Sequence, residues 1–224
     1  DLFPDDLVDS EIGKIPKEWK IKSADSLFEI TIGRTPPRKE SHWFTESEED
    51  VPWISIKDMG NSGTFISKTN EYLTYDAVTK HRMQILPTGS VLVSFKLTVG
   101  RVSIITKDMT TNEAIAHFPP SEIFPYQNFV YFYLKEFRYD SLGSTSSIAT
   151  AVNSKMIKAI PFLVATSDLT EKFEEIVSPM MERIRSATEE IQVLTDLREI
   201  LLPKLISGEL RIPDAEKFLE EAGI

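Results

Sequence analysis

The sequence predicts an α+β fold: a globular domain of mixed short strands and helices, followed by a long coiled-coil-type α-helix. Three observations carry this expectation. Apolar runs rich in Val and Ile recur between Pro and Gly punctuation, as at Ser90–Phe95 and Val99–Ile105. An aromatic-dense stretch, Phe124–Tyr139, is long enough for a helix packed on a sheet. From Met180 onward, apolar residues fall at alternating steps of four and three, which is heptad spacing.

Along the chain, residues 1–15 are acidic and without periodicity, and Asp5, Asp6, Asp9 and Glu11 read as a linker. Pro16 and Trp19 begin a globular region expected over 16–166. Within it, Val51–Ile56 is an apolar run opened by Pro52. Pro87-Thr88-Gly89 precedes the run at Ser90, and Gly100 stands near the start of the next. The aromatic stretch supplies Phe129, Val130, Phe132, Tyr133, Leu134 and Phe137, a composition more typical of a core than of a ligand platform. Two long polar segments, Gly33–Asp50 and Ser141–Val152, read as loops.

Residues 167–224 read as helical. Ser167 or Asp168 can cap a short helix carrying Leu169, Phe173 and Ile176, and Ser178-Pro179 then restarts it. The long helix is expected over about 179–202, with Met180, Ile184, Ala187, Ile191, Leu194 and Leu201 on one seam, extended backward by Phe173 and Val177. The seam either tolerates Arg198 or shifts to Leu197. It is too short for a lone coiled coil and needs a partner helix, although the same stripe would serve a helix folded back on its own domain. Gly208 ends the helical region, and a short helix follows Pro213.

Composition excludes several classes. Cys is absent, which removes disulfides, thiolate metal sites and Cys nucleophiles. No run of 18 apolar residues and no secretory leader appear, so cytoplasmic residence without a membrane anchor is expected. The chain opens on Asp1 with no Met, pointing to a fragment or a processed product. Net charge is −10, but residues 1–13 carry −5 and residues 167–224 carry −7, leaving residues 14–166 at +2. Within that block, residues 77–107 hold Lys80, Arg82, Lys96, Arg101 and Lys107 and no acid. They are either a solvated face or a local electropositive surface, and the second is all that DNA requires.

Catalytic constellations are not visible. His42, His81 and His117 are scattered without metal-ligand spacing, and no phosphate-binding Gly-rich loop or nucleophile elbow occurs. Phe118-Pro119-Pro120-Ser121 lacks the amide and the aromatic of an adenine-methyltransferase motif. Pro213-Asp214 with Glu216-Lys217 lacks the spacing of a nuclease magnesium site.

What remains is an ordered set of phrases. Gly13-Lys14-Ile15-Pro16-Lys17-Glu18-Trp19 is followed by Gly33-Arg34-Thr35-Pro36, by Val51-Pro52-Trp53-Ile54-Ser55-Ile56-Lys57-Asp58, and by Leu86-Pro87-Thr88-Gly89-Ser90-Val91-Leu92. Thr98-Val99-Gly100-Arg101-Val102 and Thr111-Asn112-Glu113-Ala114 come next. After the long helix stands the most specific phrase, from Leu194-Thr195-Asp196-Leu197-Arg198-Glu199 to Ser207-Gly208-Glu209-Leu210. In order and spacing this resembles a target recognition domain and the following helical region of type I restriction–modification specificity subunits. Pro161-Phe162-Leu163-Val164-Ala165 departs from the family's usual Pro-rich phrase before the helix.

The resemblance implies a non-catalytic subunit with two recognition domains, each reading half of a bipartite target, and two long antiparallel helices as spacer. It implies double-stranded DNA, a methyltransferase subunit and a restriction–translocase subunit as partners. No cofactor is expected on this chain; S-adenosylmethionine belongs to the methyltransferase. One recognition domain and one helix make this a C-terminal half, or a half subunit that dimerises. Side-chain chemistry nominates the DNA contacts: Arg34, Thr35, Arg38 and Lys39 after Gly33; Ser94, Lys96, Thr98 and Arg101 around a strand-to-strand turn; and Ser144, Thr145, Ser146, Ser147 and Asn153 in a hydroxyl-rich loop. The alternative is a helical scaffold protein whose domain no longer binds DNA productively.

Overall fold

A computed structural model describes residues 6–143 and 152–211, with residues 217, 220, 221 and 223. The chain divides into two compact units, Asp1–Met181 and Glu182–Ile224.

Strands and helices alternate irregularly along unit 1. β1 (Leu7–Ser10) and β2 (Gly13–Pro16) are followed by β3 (Lys20–Ser23), β4 (Thr31–Ile32), β5 (Phe44–Thr45) and β6 (Val51–Ile54). Then come α1 (Ile56–Asn61), β7 (Phe65–Ile66), β8 (Glu71–Leu73) and α2 (Tyr75–Lys80). β9 (Val91–Ser94), β10 (Val102–Ile105), β11 (Thr110–Thr111) and β12 (Ile115–Phe118) precede α3 (Gln127–Glu136), α4 (Ser154–Lys158) and β13 (Pro161–Val164). α5 (Ser167–Ser207) follows.

Two sheets form the frame. The larger has the order β4-β12-β9-β10-β7, antiparallel except for the parallel pair β10–β7. The smaller has the order β11-β6-β8-β5, with β11 parallel to β6. Strand alternation explains how they pack. On β9, Val91 and Val93 face one core with Phe118, Phe124 and Phe162, while Leu92 faces a second core with Ile54, Ile66 and Ile115. β9 is therefore buried on both faces, which is why it reads as a continuous apolar run rather than an alternating one. A third core of Trp43, Val51, Trp53, Leu73 and Val78 lies on the other face of the smaller sheet, under α2.

His117 sits fully buried on β12 between the sheets. Its Nδ1 lies 2.8 Å from Thr31 Oγ1 on β4, and its Nε2 lies 2.6 Å from Thr111 Oγ1 on β11. Thr31 Oγ1 also donates to Gln84 Oε1 and Thr111 Oγ1 also donates to Asn112 O, so each hydroxyl joins the ring to a second partner. Burial pushes the imidazole down to a pKa of about 3, so it works as a neutral clasp between sheets.

Three expectations are corrected. The segment read as a linker holds an antiparallel hairpin, β1 with β2, which pairs Leu7 with Pro16 and Ser10 with Gly13. Strands of four residues that bury only Ile15 are too short to show a hydrophobic period. Second, Ser178-Pro179 does not restart a helix; Pro179 lies inside the continuous α5. The turns before it are held from outside: Phe173 packs edge-on to Phe129 and Phe132, and Glu174 accepts from Phe129 N and Asn128 Nδ2. Tertiary packing thus outweighs the proline's missing donor. Third, Ser167 and Asp168 are already within the helix, where Asp168 meets the positive end of its dipole.

The heptad stripe divides in use. Its backward extension, Phe173 and Val177, is half-buried, with Val177 against the main core. Met180, Ile184, Ala187, Ile191 and Leu194 are exposed, and Leu201 is half-buried. At 41 residues α5 is about 60 Å long. Gly208, at φ +74°, ends it as expected, with Gly208 N donating to Leu205 O. The short helix expected after Pro213 falls mostly outside the described residues. Among the described residues, no helix is long and apolar enough to cross a membrane.

Candidate nucleic-acid interface

The strand directions bring separate loops to one end of the two sheets. β4 ends at Ile32, β9 at Ser94, β6 at Ile54 and β11 at Thr111, while β10 and β12 begin there. The segment Asn112–Ala114 is the hub: Asn112 N donates to Ile54 O, Phe95 N to Ala114 O, and Arg34 N to Thr111 O.

Gly33 makes this crossing possible. A Cβ on it would stand 2.1 Å from both Asn112 O and Thr111 Oγ1, so only glycine lets the loop cross β11 so closely. Gly33 N donates to Ile115 O, and the indole Nε1 of Trp53 donates to Arg34 O at 3.0 Å. Thr35 Oγ1 donates to Glu113 Oε2, and the Arg34 guanidinium donates to His81 O.

Arg38 is fixed differently. It forms a two-pronged ion pair with Glu71, at 2.5 and 3.0 Å, and lies 4.2 Å over Phe44 and 4.7 Å over Trp53. The hydrogen bond to Glu71 raises its pKa, and the same carboxylate cancels its charge locally. Lys39 is exposed beside it.

The β9–β10 turn carries the second group. Ser94 is fully buried, donating to Thr98 O and accepting from Arg101 N at 3.0 Å. Ser94, expected at the DNA, has its hydroxyl consumed in holding the turn, a role that strand position alone could not reveal. Lys96 and Thr98 are exposed on the turn. Arg101 is half-buried and donates to Ile56 O at 2.7 Å, lying against Gly60 of α1, where a Cβ would stand 2.4 Å from its guanidinium.

Ser55 caps α1 in a reciprocal box with Asp58, whose buried carboxylate also accepts from Asn70. That box aims the first turn of α1, and Lys57 on it is exposed beside the Arg101 bond. Lys57 was not among the residues expected at the interface; it stands within the Val51–Asp58 phrase, but its place at this edge depends on β6 reaching the hub. Among the described residues, no acidic side chain pairs with Arg34, Lys57, Lys96 or Arg101.

The third loop is partly visible. Gly100 abuts Tyr139, with its virtual Cβ 3.0 Å from the ring, so the β9–β10 turn touches the segment leading into residues 144–151. Ser144, Thr145, Ser146 and Ser147 themselves lie outside the described residues. Asn153 is exposed, but its Oδ1 caps α4 by accepting from Lys155 N and Met156 N, leaving the amide NH2 for other partners. The acid-free block of residues 77–107 is not one surface: Lys107 follows the far end of β10, opposite Arg101. Lys80 lies 4.5 Å over the Trp43 ring.

No group of three or more His, Asp or Glu side chains that could hold a metal ion occurs among the described residues. The site offers donors and cations on a rigid frame rather than an acid–base pair.

Residues 16–192 match the family model described as the type I restriction modification DNA specificity domain. The chain belongs to that family. Among curated relatives, it is 28% identical over 200 residues to the HindI specificity subunit of Haemophilus influenzae, covering 88% of this chain and 42% of that protein. It is 32% identical over 116 residues to the MjaIX specificity subunit of Methanocaldococcus jannaschii, covering 51% of this chain and 26% of that one. The chain thus spans less than half the length of these relatives. Among solved structures, the HsdS subunit from Thermoanaerobacter tengcongensis superposes with a TM-score of 0.56 at 16% identity, over 90% of this chain and 48% of that one. The type I subunit from M. genitalium gives 0.56 at 16%, over 91% and 48%. At such identities the superpositions establish the shared fold. The chain thus carries one type I DNA specificity domain.

Proposed function

We propose that the domain reads one half of a bipartite DNA target and carries a methyltransferase subunit to it. The observation that supports this reading is the gathering of the Gly33–Lys39 loop, the β9–β10 turn, α1 and the Asn112–Ala114 hub at one end of two packed sheets. There, no acidic side chain among the described residues pairs with Arg34, Lys57, Lys96 or Arg101. Rigid strands hold the loops while side chains meet the grooves, and cations that no described acid neutralises supply the phosphate term. The chain's acidity resides elsewhere, in residues 1–13 and 167–224.

α5 serves, in this reading, as one arm of a spacer. Its exposed Met180, Ile184, Ala187, Ile191 and Leu194 call for a second specificity half, from the same polypeptide or another copy. S-adenosylmethionine chemistry and strand cleavage lie in the other subunits of the assembly.

Binding to target and random duplex, measured with this chain alone and together with its methyltransferase subunit, tests the reading. Sequence-selective binding in either setting, with affinity falling as salt rises, is the expected result. Absence of binding in both leaves a helical scaffold as the function of the chain.

A further inference from the structure

The β9–β10 turn ends in a side chain that folding does not explain. Leu97 is 91% exposed, the highest value among the exposed large apolar residues described. It also has φ +63°, and Arg82 is the only other described non-glycine residue with positive φ. Thr98 N donates to Lys96 O at 2.8 Å, closing a three-residue γ-turn with Leu97 at its centre in the rare, strained hand. A γ-branched residue is a poor choice for that conformation, where glycine or asparagine costs less.

The turn beneath it is rigid. Ser94 Oγ bonds Thr98 O and receives Arg101 N, Gly100 N donates to Ser94 O, and Phe95 is buried as an anchor. Lys96 and Thr98 flank the leucine, both exposed. Val99, the next residue along, is 42% exposed. An apolar tip is thus held out, against hydration and backbone preference, between an ammonium and a hydroxyl. Strain of this kind concentrates at functional sites.

We infer that Leu97 is a base-contacting residue, the apolar element of a turn whose Lys96 meets the phosphate backbone. This rests on the DNA reading above. A duplex offers a bare apolar tip two kinds of partner: the C5-methyl of thymine in the major groove, or the faces of an opened base step. Both are apolar contacts with bases, and neither requires Leu97 to change conformation. Sequence selectivity would come from this side chain without a hydrogen bond.

The test uses the chain assembled with its methyltransferase subunit, on a target duplex defined by sequencing methylated DNA from cells carrying the system. Leu97→Gly removes the tip and relieves the backbone, so the thermal midpoint should stay level or rise while target affinity falls about tenfold, the size of one lost base contact. Affinity for random duplex should not change, because no charge is removed. Replacing target thymines by deoxyuridine one at a time separates the sources. A loss with wild type at one position, absent with Leu97→Gly, identifies the methyl. A wild-type-dependent rise in 2-aminopurine fluorescence within the half-site identifies an opened step. Target affinity of Leu97→Gly equal to wild type overturns the inference and leaves the DNA reading standing. Failure of Leu97→Gly to assemble with the methyltransferase subunit also overturns it and assigns Leu97 to that interface. If the wild-type assembly does not bind the target, the DNA reading itself falls.

Discussion

Replacing Gly33 by alanine should unlock the interface from its scaffold. The added Cβ would stand 2.1 Å from Asn112 O, 2.1 Å from Thr111 Oγ1 and 2.4 Å from Thr111 O, against 3.4 Å or more for ordinary contact. Two of these atoms are backbone, and the Thr111 hydroxyl is engaged with His117, so the loop must move away by more than an ångström. That movement opens Gly33 N to Ile115 O and Arg34 N to Thr111 O, bonds of 3.1 and 2.9 Å. Overpacking at such a site costs about 1–3 kcal/mol and each lost hydrogen bond about 1 kcal/mol, together about 3–5 kcal/mol. For a chain of this size that lowers Tm by about 10 °C. Thermal and urea denaturation measure it, with Gly63→Ala as control because a Cβ there meets nothing within 4 Å. A Gly33→Ala protein melting within a degree or two of Gly63→Ala would refute the close-crossing argument.

Further outcomes follow from the same geometry. His117 is neutral when folded, with a pKa near 3 against 6.5 when unfolded. Its contribution is therefore complete above pH 6.5 and is lost as pH falls toward 3, by about 1.4 kcal/mol per unit. Urea titrations at several pH values should show that slope in wild type and a shallower one in His117→Gln; equal slopes would remove His117 as its cause. Lys96→Ala should reduce the salt slope of DNA binding by about 0.9, the share of one phosphate. Arg38→Ala, whose charge Glu71 already cancels, should leave that slope unchanged and cost about 1 kcal/mol of stability or less, since the pair is half-exposed. Pro179→Ala should raise stability by about 1–3 kcal/mol, because a helical donor is restored inside α5; a fall in Tm would show that Pro179 relieves some other constraint.

The helix periodicity and the apolar runs were legible because each is a local pattern. β9 and β10 lie where Val and Ile cluster between turn residues, and α3 lies within the aromatic stretch. The hairpin β1–β2 was not legible, since its strands are only four residues each and bury just Ile15. Ser94 and Arg38 show the limit at the interface. Both are polar residues in promising loops, yet one is buried under its own turn and the other is paired across 33 positions of sequence. The places of Lys57 and Leu97 are not legible in the sequence, because exposure at a particular edge depends on how strands order themselves.

By itself the sequence determined the family, through ordered phrases, and the class of architecture, through short apolar runs between turn residues and helical apolar spacing near the C-terminus, patterns that are local to each segment. It also determined the charge partition, because charge is additive along the chain. Only the tertiary structure decided which cations lack acidic partners, which hydroxyls are consumed, and that α5 continues through Pro179. Those outcomes depend on contacts between residues far apart in sequence, where a neighbour such as Glu71, Thr111 or Phe129 decides the role of a side chain that its own sequence context leaves open.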